Sequence, residues 1–206
     1  MANGQLILLK ENFKNMQASV ENLQKSQELE LSGILFDFGT STDQLMSAER
    51  GFSFDAGEKA ILDMRMDQNL GVKAADLLMV LGEKQLAEIL FQFGGENDAR
   101  RIAKEVQKVK KVNPQSLNYV QTLVEIVERV KRHRHSKLHP ATKTFQALRI
   151  AVNDELNNIE IALNAAFLYI LSLIIKSFFI IVSFSIRFLY ALTNSSPVLI
   201  LSSETT

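Results

Sequence analysis

The residues of this chain with chemical potential are unevenly placed. From Arg129 to Asn153 no acidic residue occurs, while seven basic ones do: Arg129, Lys131, Arg132, Arg134, Lys137, Lys143 and Arg149. All three histidines, His133, His135 and His139, fall in the same stretch. Such a concentration of cations can bind a phosphate backbone by releasing condensed counterions. Arg100, Arg101 and Lys104 extend the patch if the helices carrying them pack side by side. The plainer reading is a solvated helix end, where Lys and Arg also sit well against the helix dipole. His133 and His135 are two apart, which suits no ligand pair on a helix face, and no carboxylate is near in sequence, so no metal site is expected.

Among the acids, Asp37 stands out because it ends a short apolar run, Gly33-Ile34-Leu35-Phe36. Ligands of open α/β sheets bind at the carboxyl ends of strands, so an acid there is a candidate cofactor or substrate contact. A turn or helix-capping acid reads equally well. The chain has no G-x-G-x-x-G or G-x-x-x-x-G-K motif, and Gly94-Gly95 reads as a helix C-cap. No serine has a nucleophile-elbow context. With no cysteine, thiolate metal sites, cysteine nucleophiles and disulfide scaffolds are excluded.

These residues need a scaffold. Residues 5–9 and 33–36 predict two strands. Between them a helix capped by Asn12 and running to about Leu23 predicts a βαβ unit. Residues 37–68 read as a long loop. Apolar residues at helical spacing then predict helices over 74–93, 98–111, 116–132 and 142–163, with breaks at Pro114 and Pro140. Four consecutive helices after a βαβ start imply an α/β protein with a helical insertion. The length, 206 residues, allows one domain with an insertion. Lys plus Arg and Asp plus Glu are 23 each, which excludes a uniformly basic coat but not a local basic face. Met1 to Lys10 lacks the pattern of a signal peptide, and a cytoplasmic location is expected. Residues 161–186 hold a single charge, Lys176, and as a helix are long enough to cross about 30 Å of hydrocarbon. The tail therefore reads either as a membrane segment or as buried core elements.

Several strings are long and uncommon. They are Ile34-Leu35-Phe36-Asp37-Phe38-Gly39-Thr40-Ser41, Ala48-Glu49-Arg50-Gly51-Phe52-Ser53-Phe54, Leu62-Asp63-Met64-Arg65-Met66-Asp67 and His139-Pro140-Ala141-Thr142-Lys143-Thr144-Phe145-Gln146-Ala147-Leu148-Arg149-Ile150. In order and wording they resemble the ribosomal RNA small subunit methyltransferase H, or MraW, family, over about Leu6 to Leu163. The resemblance implies a Rossmann-like, S-adenosyl-L-methionine-dependent methyltransferase core with an inserted helical domain. Its implied reaction is N4-methylation of a cytidine in 16S rRNA of the small ribosomal subunit. The implied division is a partial core over 1–48, a helical RNA-binding insertion over 49–150, and a return helix with an apolar tail over 151–206. Matching the family pattern residue by residue puts Phe13, Asp37 and Gln44 on the cofactor. The basic face would be Arg100, Arg101, Lys131, Arg132, Arg134, His139, Lys143 and Arg149. No catalytic residue is named, although Asp37 is a candidate proton acceptor.

Against the family pattern, Met1 falls after its Gly-rich loop, and the tail from Ser177 only echoes its closing Ser-Phe-x-Ser segment. The expectation is an N-terminally truncated member with a divergent tail, inactive by itself. The alternatives are a non-catalytic RNA-binding remnant and a membrane-associated protein.

Overall fold

The computed structural model describes residues 7–9, 11–27, 33–38, 50–54, 57, 59–69, 71–132 and 138–193, with side chains through residue 175 of the last helix. The chain divides into two compact units, residues 36–159 and residues 1–35 with 160–206. The division implied by the resemblance falls at 48/49 and 150/151.

The unit 36–159 is helical. Its elements are α2 (Ala74–Val80), α3 (Glu83–Gly94), α4 (Ala99–Val112), a 3-10 turn (Pro114–Asn118), α5 (Val120–Lys131), α6 (Thr142–Asn153) and the start of α7 (Glu155–Thr193). In the other unit, α1 spans Met16–Gln27. The single helix expected over 74–93 is two, because Leu81 and Gly82 are extended. The Gln85 side chain accepts from the Gly82 amide at 3.1 Å and restarts the chain as α3. Gly95, at φ +59°, closes α3 with its amide on the Phe91 carbonyl, so the expected C-cap is present. Gly94 has a different role. A Cβ there would collide with the Lys143 carbonyl, so its bareness lets α3 lie against α6. The helix expected over 142–163 also divides, at Asp154, which is left-handed (φ +50°).

The core between these helices contains Leu78, Leu86, Leu90, Ile102, Val106, Leu123, Ile126 and Leu148, all essentially sealed from solvent. α3 packs chiefly on α6 and α4, and α4 also meets α5. The segment 60–64 threads through this core and serves as its internal cap. The carbonyls of Asp63 and Leu62 accept from the amides of Ala74 and Ala75, which are otherwise orphan donors at the start of α2. Leu62 donates to Asn118, and Val120 to Ala60, around an isolated antiparallel bridge between Ile61 and Tyr119.

In the unit 1–35 with 160–206, the Asn12 side chain accepts from the Lys14 amide at 3.0 Å, as a helix-start residue should. A 3-10 turn (Phe13–Asn15) leads into α1, and the Tyr169 hydroxyl donates to the Gln17 carbonyl. Among the described residues, 7–9 and 33–38 have no sheet partner, so the Rossmann-like core expected from the sequence is not confirmed there. Leu8 and Leu35 are correspondingly bare, Leu35 at 96%. A strand is defined by its neighbours' hydrogen bonds, which an apolar run does not supply by itself. α7 runs from Glu155 to Thr193, and its segment Glu155–Ile175 is by length and composition apolar enough to cross a membrane.

Candidate nucleic-acid interface

α4 carries Arg101, Lys104 and Lys108 at spacings of three and four, which places them on one helical face. The opposite face, Ile102, Ala103 and Val106, is buried, so packing turns the cations outward. α5 lies alongside and adds Arg129. Together these four cations line a groove of about 320 Å³ whose one acid is Glu105. Glu105 pairs with Lys108 at 2.6 Å, an exposed contact of little energetic worth. Arg101 is tethered to Asp98 at 3.2 Å yet keeps two thirds of its side chain exposed. Arg100 is exposed nearby, in a wider hollow between α3 and α4.

Not every expected cation belongs to this face. Lys131 is a correction. Its side chain is 11% exposed, and its ammonium is bonded to Glu96 at 2.5 Å and to the Pro140 carbonyl at 2.6 Å. Glu96 is 2% exposed and also accepts from Thr144 and from the Asp98 amide. Lys131 therefore ties α5 to the turn after α3 and to the start of α6, and its charge is spent internally. Arg149 is likewise engaged in a two-pronged pair with Glu155, at 2.8 and 3.0 Å. Lys143 is exposed and donates to the Gly95 carbonyl. Arg132 is exposed, and Arg134 lies outside the described residues.

His139 is built into an aromatic cluster. Its ring stacks on Phe54 (centroids 4.4 Å, 9° between planes), and Phe54 meets Phe145 edge-on at 4.9 Å. Nδ1 of His139 accepts from the Ala141 amide, so in the neutral ring Nε2 carries the proton; it lies 3.6 Å from Glu128. The cluster borders a cavity of about 260 Å³ between Phe52, Phe54, Met64, Phe145, Gln146 and Arg149. Three of the strings singled out in the sequence meet here: 48–54, 62–67 and 139–150. Asn153 holds the wall by donating to the Met64 carbonyl and accepting from the Met66 amide, at 2.8 and 2.7 Å. Met64 is thereby fixed at φ +62°, an uncommon conformation for a non-glycine residue. Beside it, Asp63 forms a fork with Arg65 at 2.6 and 2.8 Å, and the guanidinium's hydrogen bonds hold the Asp63 carboxyl below its usual range.

Of the expected cofactor residues, Phe13 lies on the turn before α1, in the unit 1–35 with 160–206. Asp37 is exposed in the other unit, beside stacked Phe36 and Phe38. Gln44 lies outside the described residues. Sequence reading missed the Glu96–Lys131 pair and the grouping of Lys108 with Arg129. The first left no local signal, since its partners are 35 residues apart; the second needed the side-by-side packing of α4 and α5.

Comparison with known proteins gives the chain its family. A model of the MraW methylase family matches residues 1–186, and the chain belongs to that family. It is 41% identical over 155 residues to the ribosomal RNA small subunit methyltransferase H of Brevibacillus brevis, covering 73% of this chain and 46% of that protein. With the protein of the same name from Sulfurihydrogenibium sp. the identity is 42% over 163 residues, covering 78% and 53%. With that of Afipia carboxidovorans it is 39% over 165 residues, covering 80% and 47%. The chain thus spans about half the length of the curated relatives it matches.

Proposed function

We propose that this chain carries the RNA-gripping part of an enzyme that methylates 16S rRNA in the small ribosomal subunit, at the N4 amine of a cytidine. The names of its relatives support the substrate. The observation that carries the reading is the groove lined by Arg101, Lys104, Lys108 and Arg129, four cations against one acid. Such a groove follows a phosphate backbone without reading its sequence. Arg100, Arg132 and Lys143 are exposed and extend the basic surface.

S-adenosyl-L-methionine is the proposed donor and, when bound, supplies the methyl group. Phe13, Asp37 and Gln44 are its proposed contacts. Asp37 is exposed and Phe13 sits on a surface turn. What this chain's residues do by themselves is hold and orient the RNA. That same observation favours a second reading, an RNA-binding protein without turnover.

The test is binding of a 16S rRNA fragment to the full chain across a salt series, with tritiated methyl transfer measured in parallel. Replacing Lys104, Lys108 and Arg129 together with Ala is expected to weaken binding and to flatten the salt slope by about one for each phosphate no longer neutralised. Unchanged affinity and slope would reduce the groove to a solvated face. Binding without methyl transfer would select the second reading.

A further inference from the structure

We infer that α7 inserts into a lipid bilayer, with the broad apolar arc of Phe167, Leu171 and Ile174 turned to the acyl chains. This goes beyond the RNA-binding reading and does not depend on it.

The arc is defined by what α7 buries and what it leaves bare. Ala162 and Ala165 are buried, and the Tyr169 hydroxyl donates to the Gln17 carbonyl, so this edge of the helix is turned to protein. Around the rest of the helix, Phe167, Leu168, Ile170, Leu171, Leu173 and Ile174 are exposed. At 3.6 residues per turn their positions span roughly 220° of the circumference. A helix on the surface of a soluble protein shows a narrower apolar stripe and hides it, whereas one apolar over most of its surface lies in a core or in a membrane. A core helix is mostly buried. Of the apolar window within Glu155–Ile175 only 22% is.

Length and charge choose lipid over a second copy of the chain. From Ile161 to Thr193 the helix extends roughly 50 Å, more than the about 30 Å of a hydrocarbon layer. No acid falls between Glu160 and Glu204. The two cations there, Lys176 and Arg187, are spaced by about three helical turns and so return to one register. Long cationic side chains at one register can keep their stems in apolar surroundings while their charges reach the headgroups. A second α7 laid alongside would cover a single seam and leave the far side of the arc in water. Its own Lys176 and Arg187 would also meet no acid on the partner helix. A bilayer covers the whole arc at once.

The experiment floats the full chain with neutral phosphatidylcholine vesicles at about 0.5 M salt, which screens the basic groove from any headgroup. Most of the chain is expected to float. The combined variant Phe167→Gln, Leu171→Gln and Ile174→Gln is expected to lose flotation several-fold with little change in melting temperature, because all three positions are exposed. Immersion is read separately. The chain has no tryptophan, so Phe167→Trp and Tyr169→Trp each introduce a single reporter. Vesicles of brominated lipid are expected to quench the reporter at position 167 strongly and the one at 169 weakly, a difference that an aggregate adhering to vesicles would not produce. Absence of flotation, an unaffected triple variant, or equal quenching at the two positions would overturn the proposal. So would flotation confined to anionic phosphatidylglycerol vesicles and reversed by salt, which would assign it to the basic groove. A discrete dimer that ignores vesicles would overturn it too and give the arc to a second copy.

Discussion

The unit 36–159 and the described part of the other unit use their apolar residues differently. In the first, Leu62, Leu78, Leu90, Leu123 and Leu148 are sealed between helices. In the second, Leu8, Phe167, Leu168 and Ile174 are each more than half exposed. Hydrophobicity states that a residue gains by burial, but not what will cover it. The helical unit answers from nearby sequence, since α3, α4, α5 and α6 follow one another and pack as neighbours. Residues 33–38 and α7 have no such local answer. The largest tests of this contrast therefore lie inside the helical unit.

Lys131→Ala should have the largest effect. It leaves Glu96 buried and unpaired, and breaking one side of a buried pair costs about 3–5 kcal/mol. Thermal melting should show a large drop, and RNA binding of the folded protein should keep its salt slope. A loss of slope at unchanged stability would return Lys131 to the phosphate face. Gly51→Ala should rank close behind. Gly51 sits at φ +70° with the Ile61 carbonyl where a Cβ would go. The left-handed backbone costs about 1–2 kcal/mol, and overpacking adds about 1–3. A neutral outcome in a denaturant titration would mean that the 50–64 loop is not held as described.

The same contrast between local and distant partners governs what is legible in the sequence. The helices are legible because Ile102, Val106, Leu123 and Val127 repeat at helical spacing and the groups that stop helices, Pro114 and Gly95, are local. Their interruptions are less so. Leu81 and Asp154 interrupt apolar patterns that continue past them, and only backbone conformation shows the breaks. The basic segment is legible as composition, but not as surface. Lys131 and Lys143 look alike in sequence; the first meets a buried acid 35 residues away and the second faces solvent. The strings that carry the family resemblance are legible as words. Their meeting around one cavity depends on Asn153 holding Met64 and Met66, across 87 to 89 residues of chain.

A smaller effect separates charge from packing within the 62–67 segment. The Asp63 carboxyl titrates below its usual range because Arg65 hydrogen-bonds its charged form. Its folded pKa is depressed, so its contribution is present above the unfolded value of about 3.9 and is lost as pH falls through the folded one. The melting-temperature gap between the native chain and Asp63→Asn should be constant above about pH 5 and close in stronger acid. A gap that persists in acid would assign the role of Asp63 to shape rather than charge.

The smallest expected effect tests the exposed side of the contrast. Phe167 on α7 is 63% exposed, so Phe167→Gln removes little buried area and replaces Phe with a better helix former. Stability should change by no more than about 0.5 kcal/mol, the usual scale for surface substitutions. The same change at buried Leu148 would cost at least the roughly 2–5 kcal/mol typical of emptying a core site. Sedimentation is the second measurement, because an apolar helix that is open in the monomer favours self-association. Phe167→Gln should shift the chain toward smaller species without lowering its melting temperature. A loss approaching that at Leu148 would break the contrast: it would mean that this face is covered in solution, and that α7 belongs with the buried half of the molecule.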